Sequence, residues 1–331
     1  GVRPPALLTR TLTGFVAELT PEGVAALAEN PGVVVVEQDA VVRGAALPRA
    51  LATLQSGAPW ALDRLDDAVG LDGAYEYTAD GSGVDVYVVD SGTDTGMTEV
   101  AHAVPGFTVV SPDTVDCNGH GTRVAAAVGS PTYGVAKAAN LITVRNLGCD
   151  NTGTVAGTVQ ALEWVGDQVA AGASTQRAVV NLSLASTVSS SMNAAVRALV
   201  AAGVVVVAAA GNAAENACLS SPASEPLAIT VAASDFSDTR ASFSNIGPCV
   251  DLFGPGVSIT GPAIASPPAG TSLASGTSFA APHVAGIAAR LLQVHPSATA
   301  AQITDTLLCA ATEGLVRDNA ADTADVMAHV P

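Results

Sequence analysis

Val204-Val205-Val206-Val207-Ala208-Ala209-Ala210 is an unbroken apolar run that stops at Gly211-Asn212. Such a run, too short for a typical helix and rich in β-branched residues, reads as a strand buried on both faces. Val86-Tyr87-Val88-Val89 has the same character and stops at Asp90-Ser91-Gly92. Strands of this kind belong to largely parallel sheets covered by helices, so the fold class is α/β. A content of 49% hydrophobic residues and 32 glycines suits a buried sheet with tight turns. The 331 residues can hold one large α/β domain and one small domain. Thirteen basic against thirty acidic residues leave a net charge of −17. That argues against a nucleic-acid partner, whose phosphates require Lys and Arg, and favours solubility. The longest apolar stretch, residues 198–210, is interrupted by Gly203 and too short to span a bilayer, so no membrane association is expected. No internal repeat, coiled coil or low-complexity tract is present.

Four polar residues stand where these apolar segments begin or end. Asp90 closes a strand, the usual edge for sites in open α/β sheets. Taken alone it is equally a structural strand-end acid; a dinucleotide ribose acid lacks its Gly-x-Gly-x-x-Gly turn here. His120 lies between Gly119 and Gly121, ahead of the helical pattern Arg123-Val124-Ala125-Ala126-Ala127-Val128. Small neighbours let another group approach the imidazole, although a lone His is commonly structural. Asn212 ends the Val204 strand, as a turn residue or as an amide donor. In Gly276-Thr277-Ser278-Phe279, the serine opens a buried helical run. Unpaired N–H groups and the positive dipole end at such a position favour developing negative charge.

The order Asp90, His120, Asn212, Ser278 is that of subtilisin, not of chymotrypsin or the α/β-hydrolases. Asp90-Ser91-Gly92, Asn118-Gly119-His120-Gly121-Thr122, Ala210-Gly211-Asn212 and Gly276-Thr277-Ser278 together resemble the subtilisin-like serine proteases, within them the proteinase K group. The resemblance extends from about Thr53 to near the C-terminus. It implies a three-layer fold with a mostly parallel central sheet and a secreted serine endopeptidase of broad specificity. Ser278 would attack the scissile carbonyl, His120 would shuttle the proton, Asp90 would orient the imidazole, and Asn212 would join the oxyanion hole. No cofactor is expected for the chemistry.

By the same resemblance, Ser183-Leu184-Ala185 and Asn151-Thr152-Gly153 form two edges of the substrate groove, with Ala210 and Gly211 beside them. An extended peptide would add between them as a strand. The family usually has Gly where Ala185 stands and commonly Gly where Asn151 stands. Arg123 replaces a common His, and Phe279 replaces a common Met. None of these changes removes a catalytic group.

Five cysteines are present, and sequence alone cannot pair them. The resemblance implies Cys117–Cys149 and Cys218–Cys249, leaving Cys309 free in the core. Disulfides imply an oxidising compartment, hence an extracellular protein. Pro226, Ala228 and Asp251 resemble a structural calcium site: two backbone carbonyls and a carboxylate suit a hard cation. Asp251 could instead make only a local hydrogen bond.

At the N-terminus, Phe15, Ala17 and Leu19 alternate as one face of a strand. Thr20-Pro21-Glu22 starts a helix with an N-cap and Pro at N1, Asn30-Pro31-Gly32 stops it, and Val33–Val36 reads as a further strand that continues into residues 37–42. Residues 1–45 resemble the second half of an inhibitor I9-like, ferredoxin-like α+β propeptide whose first strand and helix are absent. This segment would assist folding and then inhibit the enzyme. Arg43–Gln55 reads as linker, with maturation cleavage between about Ala46 and Leu54. The expected organisation is propeptide 1–45, linker 46–54 and catalytic domain 55–331, as a monomer. No signal peptide is visible and Gly1 is not an initiating Met. Two other functions compete. One is a catalytically silent subtilisin-fold binding protein held by its propeptide. The other is an esterase, against which the missing Gly-x-Ser-x-Gly elbow weighs.

Overall fold

The computed structural model describes residues 6–8, 14–37, 52–110, 112–172, 177–264 and 270–330. The chain divides into two compact units, Gly1–Arg49 and Ala50–Pro331.

In the first unit, β1 (Ala6–Leu8) pairs antiparallel with β2 (Gly14–Val16). The alternation expected over residues 15–19 therefore yields a strand only to Val16. Helix α1 (Pro21–Ala28) begins as expected: Pro21 lies in the first turn, and the Thr20 hydroxyl accepts the Gly23 N–H at 3.3 Å. Residues 33–37 form no strand. Val34 and Val35 are fully exposed and largely exposed, so the apolar run has no partner face among the described residues. Residues 38–51 lie outside the described residues and take most of the expected linker with them.

The second unit opens on β3 (Thr53–Ser56), which pairs antiparallel with β4 (Ala74–Tyr77) across α2 (Trp60–Asp66). Thr53, Leu54 and Gln55, read as linker, belong instead to this strand. Their backbone groups find ladder partners in β4, which sequence distance concealed.

The central sheet contains β5 (Asp85–Asp90), β6 (Val104–Thr108), β7 (Asn140–Arg145) and β8 (Ala178–Leu182). Helices α3 (His120–Gly129) and α4 (Val155–Ala170) fall among them. Strand β9 (Ser186–Thr187), helix α5 (Ser190–Ala201) and strand β10 (Val205–Ala209) follow. Then come β11 (Ser220–Ser221), β12 (Ile229–Ser234), β13 (Leu252–Pro255) and the hairpin β14 (Ile259–Pro262) and β15 (Thr271–Ala274). Helices α6 (Thr277–Val294) and α7 (Ala300–Ala310), with the short strands β16 (Thr312–Glu313) and β17 (Val326–Met327), complete the chain. The sheet order is β16-β17-β13-β12-β10-β8-β5-β7-β6, parallel except for β16 against β17.

Strand alternation builds the three layers. Val86, Val88, Val205, Val207 and Ala209 pack with residues of α3 and α6 on one face. Tyr87, Val89, Val206 and Ala208 pack with residues of α4 and α5 on the other. Both faces are dry, which explains why these strands read as apolar without interruption. The strand sequence reverses direction between β5 and β8, so a crevice opens there at the carboxyl ends. Two disulfides form, Cys117–Cys149 and Cys218–Cys249. Cys309 is free but exposed, not in the core: it lies on the outer side of α7, whose buried residues are Ala300, Ile303 and Leu307.

Candidate active site

The crevice gathers the four residues from different elements. Asp90 is the last residue of β5 and is fully buried. His120 is the first residue of α3. Its Nδ1 lies 2.8 and 3.0 Å from the two oxygens of Asp90. The Ser91 N–H also donates to Asp90, at 2.6 Å. Gly121 makes this contact sterically possible. A Cβ there would fall 2.2 Å from the Gly92 carbonyl oxygen and 3.1 Å from an Asp90 oxygen, so any side chain would push α3 off the strand end. Burial of the imidazole opposes its protonation, but the charge and hydrogen bond of Asp90 outweigh burial and raise the His120 pKa above the ordinary value.

Asp116 organises the His120 loop, a role sequence reasoning missed. Its buried carboxylate accepts the N–H groups of Asn118 and Gly119 at 2.8 and 2.9 Å. It also takes the N–H and hydroxyl of Thr122 at 2.9 and 2.6 Å. The Ser91 hydroxyl donates to it at 3.0 Å and accepts the Gly121 N–H at 2.9 Å. The Asp-x-Asn-Gly spacing before a helix was the available signal. Cys117–Cys149 and the Asn118 amide, which donates to the Cys149 carbonyl at 3.0 Å, tie this loop to the segment after β7.

Ser278 lies in the first turn of α6. Asn212 follows β10, and its Oδ1 accepts the N–H and hydroxyl of Thr277 at 2.8 and 3.0 Å. These bonds fix which way the amide points: oxygen toward the helix, Nδ2 outward. Thr277 also accepts the Gly211 N–H at 3.1 Å, locking the strand end to the helix start. The Phe279 ring lies 5.3 Å from the His120 ring, and the Arg123 guanidinium stacks over Phe279 at 5.7 Å. A cleft of about 270 Å³ opens beside His120, lined by Asn118, Arg123, Ile264 and Ser272 among others.

The other predicted residues are distributed around this centre. Ser183, Leu184 and Ala185 follow β8, running from buried to exposed. Ser183 contacts Ser278 directly, and the Ser278 hydroxyl donates to the Ser183 carbonyl at 3.2 Å. Ala210 and Gly211 are buried between β10 and Asn212. Asn151, Thr152 and Gly153 form an exposed turn, closed by the Gly148 N–H on the Thr152 carbonyl at 2.8 Å. Asn151 has φ of 60°, a left-handed conformation that Asn tolerates, which explains why it can stand where Gly is common.

Asp251, before β13, accepts the Thr230 N–H at 2.7 Å, the local bond considered above. Its other oxygen has no hydrogen-bond partner among the described residues. Burial pushes its pKa up to about 6 despite that bond. Ala228 is buried and Pro226 exposed alongside β12. A half-buried carboxylate with a spare oxygen and no cationic partner is compatible with a hard cation. A second acidic group, Asp63, Asp67 and Asp72, brings ligand oxygens within 4.8 Å of one another and could also hold a metal. Sequence analysis did not single it out.

Comparison with known proteins identifies both units. Residues 81–326 match the subtilase family, peptidase S8, and residues 9–45 match peptidase inhibitor I9. An extracellular serine proteinase from Thermus sp. (strain Rt41A) is 41% identical over 335 residues, covering all of this chain and 78% of that protein. Alkaline serine exoprotease A from Vibrio alginolyticus is 39% identical over 321 residues, covering 96% of this chain and 58% of that protein. The crystal structure of a cold adapted subtilisin-like serine proteinase superposes with a TM-score of 0.78 at 39% identity, covering 83% of this chain and 99% of that one. A family match across most of the chain, relatives of this identity and the same fold lead to one conclusion: the chain belongs to the subtilase family of serine endopeptidases, preceded by an inhibitor I9 domain.

Proposed function

We propose that Ser278, His120 and Asp90 form the catalytic triad and that Asn212 is the side-chain donor of the oxyanion hole. The carrying observation is the double contact of His120 Nδ1 with the buried Asp90 carboxylate, 2.8 and 3.0 Å. It fixes the tautomer with the proton on Nδ1 and leaves Nε2 as the base. Nε2 takes the Ser278 proton as Oγ attacks the scissile carbonyl carbon. The carbonyl electrons move to oxygen, which is received by the Asn212 Nδ2 and the Ser278 N–H. Such a side-chain donor contributes about 3 kcal/mol in subtilisin. The imidazolium then protonates the leaving amine, the acyl-enzyme forms, and water releases the acid by the reverse sequence. At rest the Ser278 hydroxyl donates to the Ser183 carbonyl, so attack requires its proton to turn to His120.

Ser183, Leu184 and Ala185 on one side, and Asn151, Thr152 and Gly153 on the other, receive the peptide as an added strand, with Ala210 and Gly211 beside it. Specificity is broad. Pro226 and Ala228 carbonyls with Asp251 hold a structural calcium ion, which would supply the positive charge the Asp251 carboxylate lacks. The I9 segment, taken as residues 1–45, chaperones folding and inhibits until it is cut. Since Thr53 already lies in β3, cleavage falls between about Ala46 and Ala52. The mature enzyme begins just ahead of β3 and acts outside the cell, as expected of a disulfide-bonded relative of an extracellular proteinase.

A fluorophosphonate probe tests the triad. Wild-type protein freed of the I9 segment should be labelled on Ser278, located by mass spectrometry, and Ser278→Ala should not. An unlabelled wild type would overturn the assignment.

A further inference from the structure

Helix α6 carries Pro282 in its interior, four residues after Ser278. Proline has no N–H, so the Ser278 carbonyl loses the donor that a regular helix would give it. That carbonyl is nevertheless paired: the Ser183 hydroxyl donates to it at 2.6 Å, across 95 residues of sequence. The Asn181 amide donates to the Ser183 oxygen at 2.9 Å. Since the Ser278 carbonyl can only accept, the Ser183 proton must lie on it, and Asn181 must present its NH2 group to the other side of the hydroxyl. Both Asn181 and Ser183 are buried, 0% and 3% exposed. The Ser278 hydroxyl in turn donates to the Ser183 carbonyl at 3.2 Å, making the pair reciprocal.

We propose that the Ser183 side chain is a positioning residue for the nucleophile. Its hydroxyl replaces the helical donor that Pro282 removes and so fixes the orientation of the Ser278 peptide. This rests on the assignment of Ser278 as nucleophile above, and adds a side-chain role to a residue whose backbone lines the groove. Fixing the Ser278 carbonyl fixes the residue's backbone dihedrals, and with them the direction in which Oγ leaves the helix. Without the donor, the Ser278 carbonyl loses the partner that stands in for the helical N–H, and the first turn of α6 is free to tilt until that carbonyl finds another.

The test is a double-mutant cycle read by steady-state peptide hydrolysis and by the rate of fluorophosphonate labelling. Ser183→Ala should lower kcat and the labelling rate about tenfold, the size of one lost hydrogen bond, with KM changed less than about twofold. Pro282→Ala restores an N–H that can itself reach the Ser278 carbonyl. In that background Ser183→Ala should cost less than about threefold, because the two donors substitute for each other. Ser183→Thr, which keeps the hydroxyl, should retain more activity than Ser183→Ala and serves if Pro282→Ala does not fold. An equal loss from Ser183→Ala in both backgrounds, or a Ser183→Thr as impaired as Ser183→Ala, would overturn the proposal in favour of simple packing. Failure of wild type to label at Ser278 would instead strike the triad, so the two failures are distinct.

Discussion

At the scale of the residue, Asp90 is the foremost of the charged neighbours that set His120, ahead of Asp116 and Arg123. Asp90 overrides the effect of burial and raises the imidazole pKa, and the base role proposed for His120 requires the neutral form. Activity should therefore rise with pH through an apparent pKa above the ordinary imidazole value of about 6.5. Asp90→Asn removes the charge and should shift that limb downward while lowering kcat by about four orders of magnitude, through loss of the correct tautomer. A profile of kcat/KM between pH 5 and 9 checks both. A limb that does not move in the variant would show that Asp90 does not control His120. Asp90, His120, Asn212 and Ser278 were legible because each is a polar residue at the end of an apolar element. Thr277 and the Ser183 hydroxyl were not, because their partners lie 65 and 95 residues away in the chain; Asp116 left the local Asp-x-Asn-Gly signal, but its bond to Ser91, 25 residues away, left none.

At the scale of the element, α6 is buried almost along its whole length, yet contains Pro282 and His283. His283 Nδ1 donates to the Phe279 carbonyl at 2.7 Å, supporting the turn next to the one Pro282 interrupts. Burial holds its pKa down at about 4, so it is neutral in the folded protein at neutral pH. Between about pH 6.5 and pH 4 the unfolded chain binds this proton and the folded chain does not. Stability should thus be lost as pH falls through that window, by up to about 3 kcal/mol from this one group. In a Ser278→Ala background that prevents self-digestion, His283→Gln should flatten the pH dependence of the thermal midpoint between pH 4 and 6.5, whatever its overall stability. A curve as steep as that of the parent would assign acid lability to other groups. The helix itself was readable from Phe279-Ala280-Ala281 and the apolar run after it. The need for outside donors was implied by Pro282, but their identity was not, since a missing N–H does not name its substitute.

At the scale of the whole molecule, stability is concentrated in a nine-stranded sheet, two disulfides and the proposed calcium site. Chelation of calcium from the Ser278→Ala protein should lower the thermal midpoint by roughly 5–10 °C, the effect of losing a ligand held well above its dissociation constant. Asp251→Asn should abolish that dependence. If it persists in the variant, the ion sits elsewhere, and the Asp63, Asp67 and Asp72 group becomes the place to look. The sequence by itself determined the α/β class, the buried strands, the start of α3 and α6 and the four polar residues at their ends, because burial and helix capping act locally and leave local patterns. It also carried family motifs enough to pair the cysteines. Only the tertiary structure decided that Thr53–Gln55 pair with β4, that Val33–Val36 form no strand, and that Cys309 faces outward. Each of those depends on which distant segment supplies a hydrogen-bond ladder or a covering face, and no local run of residues encodes that.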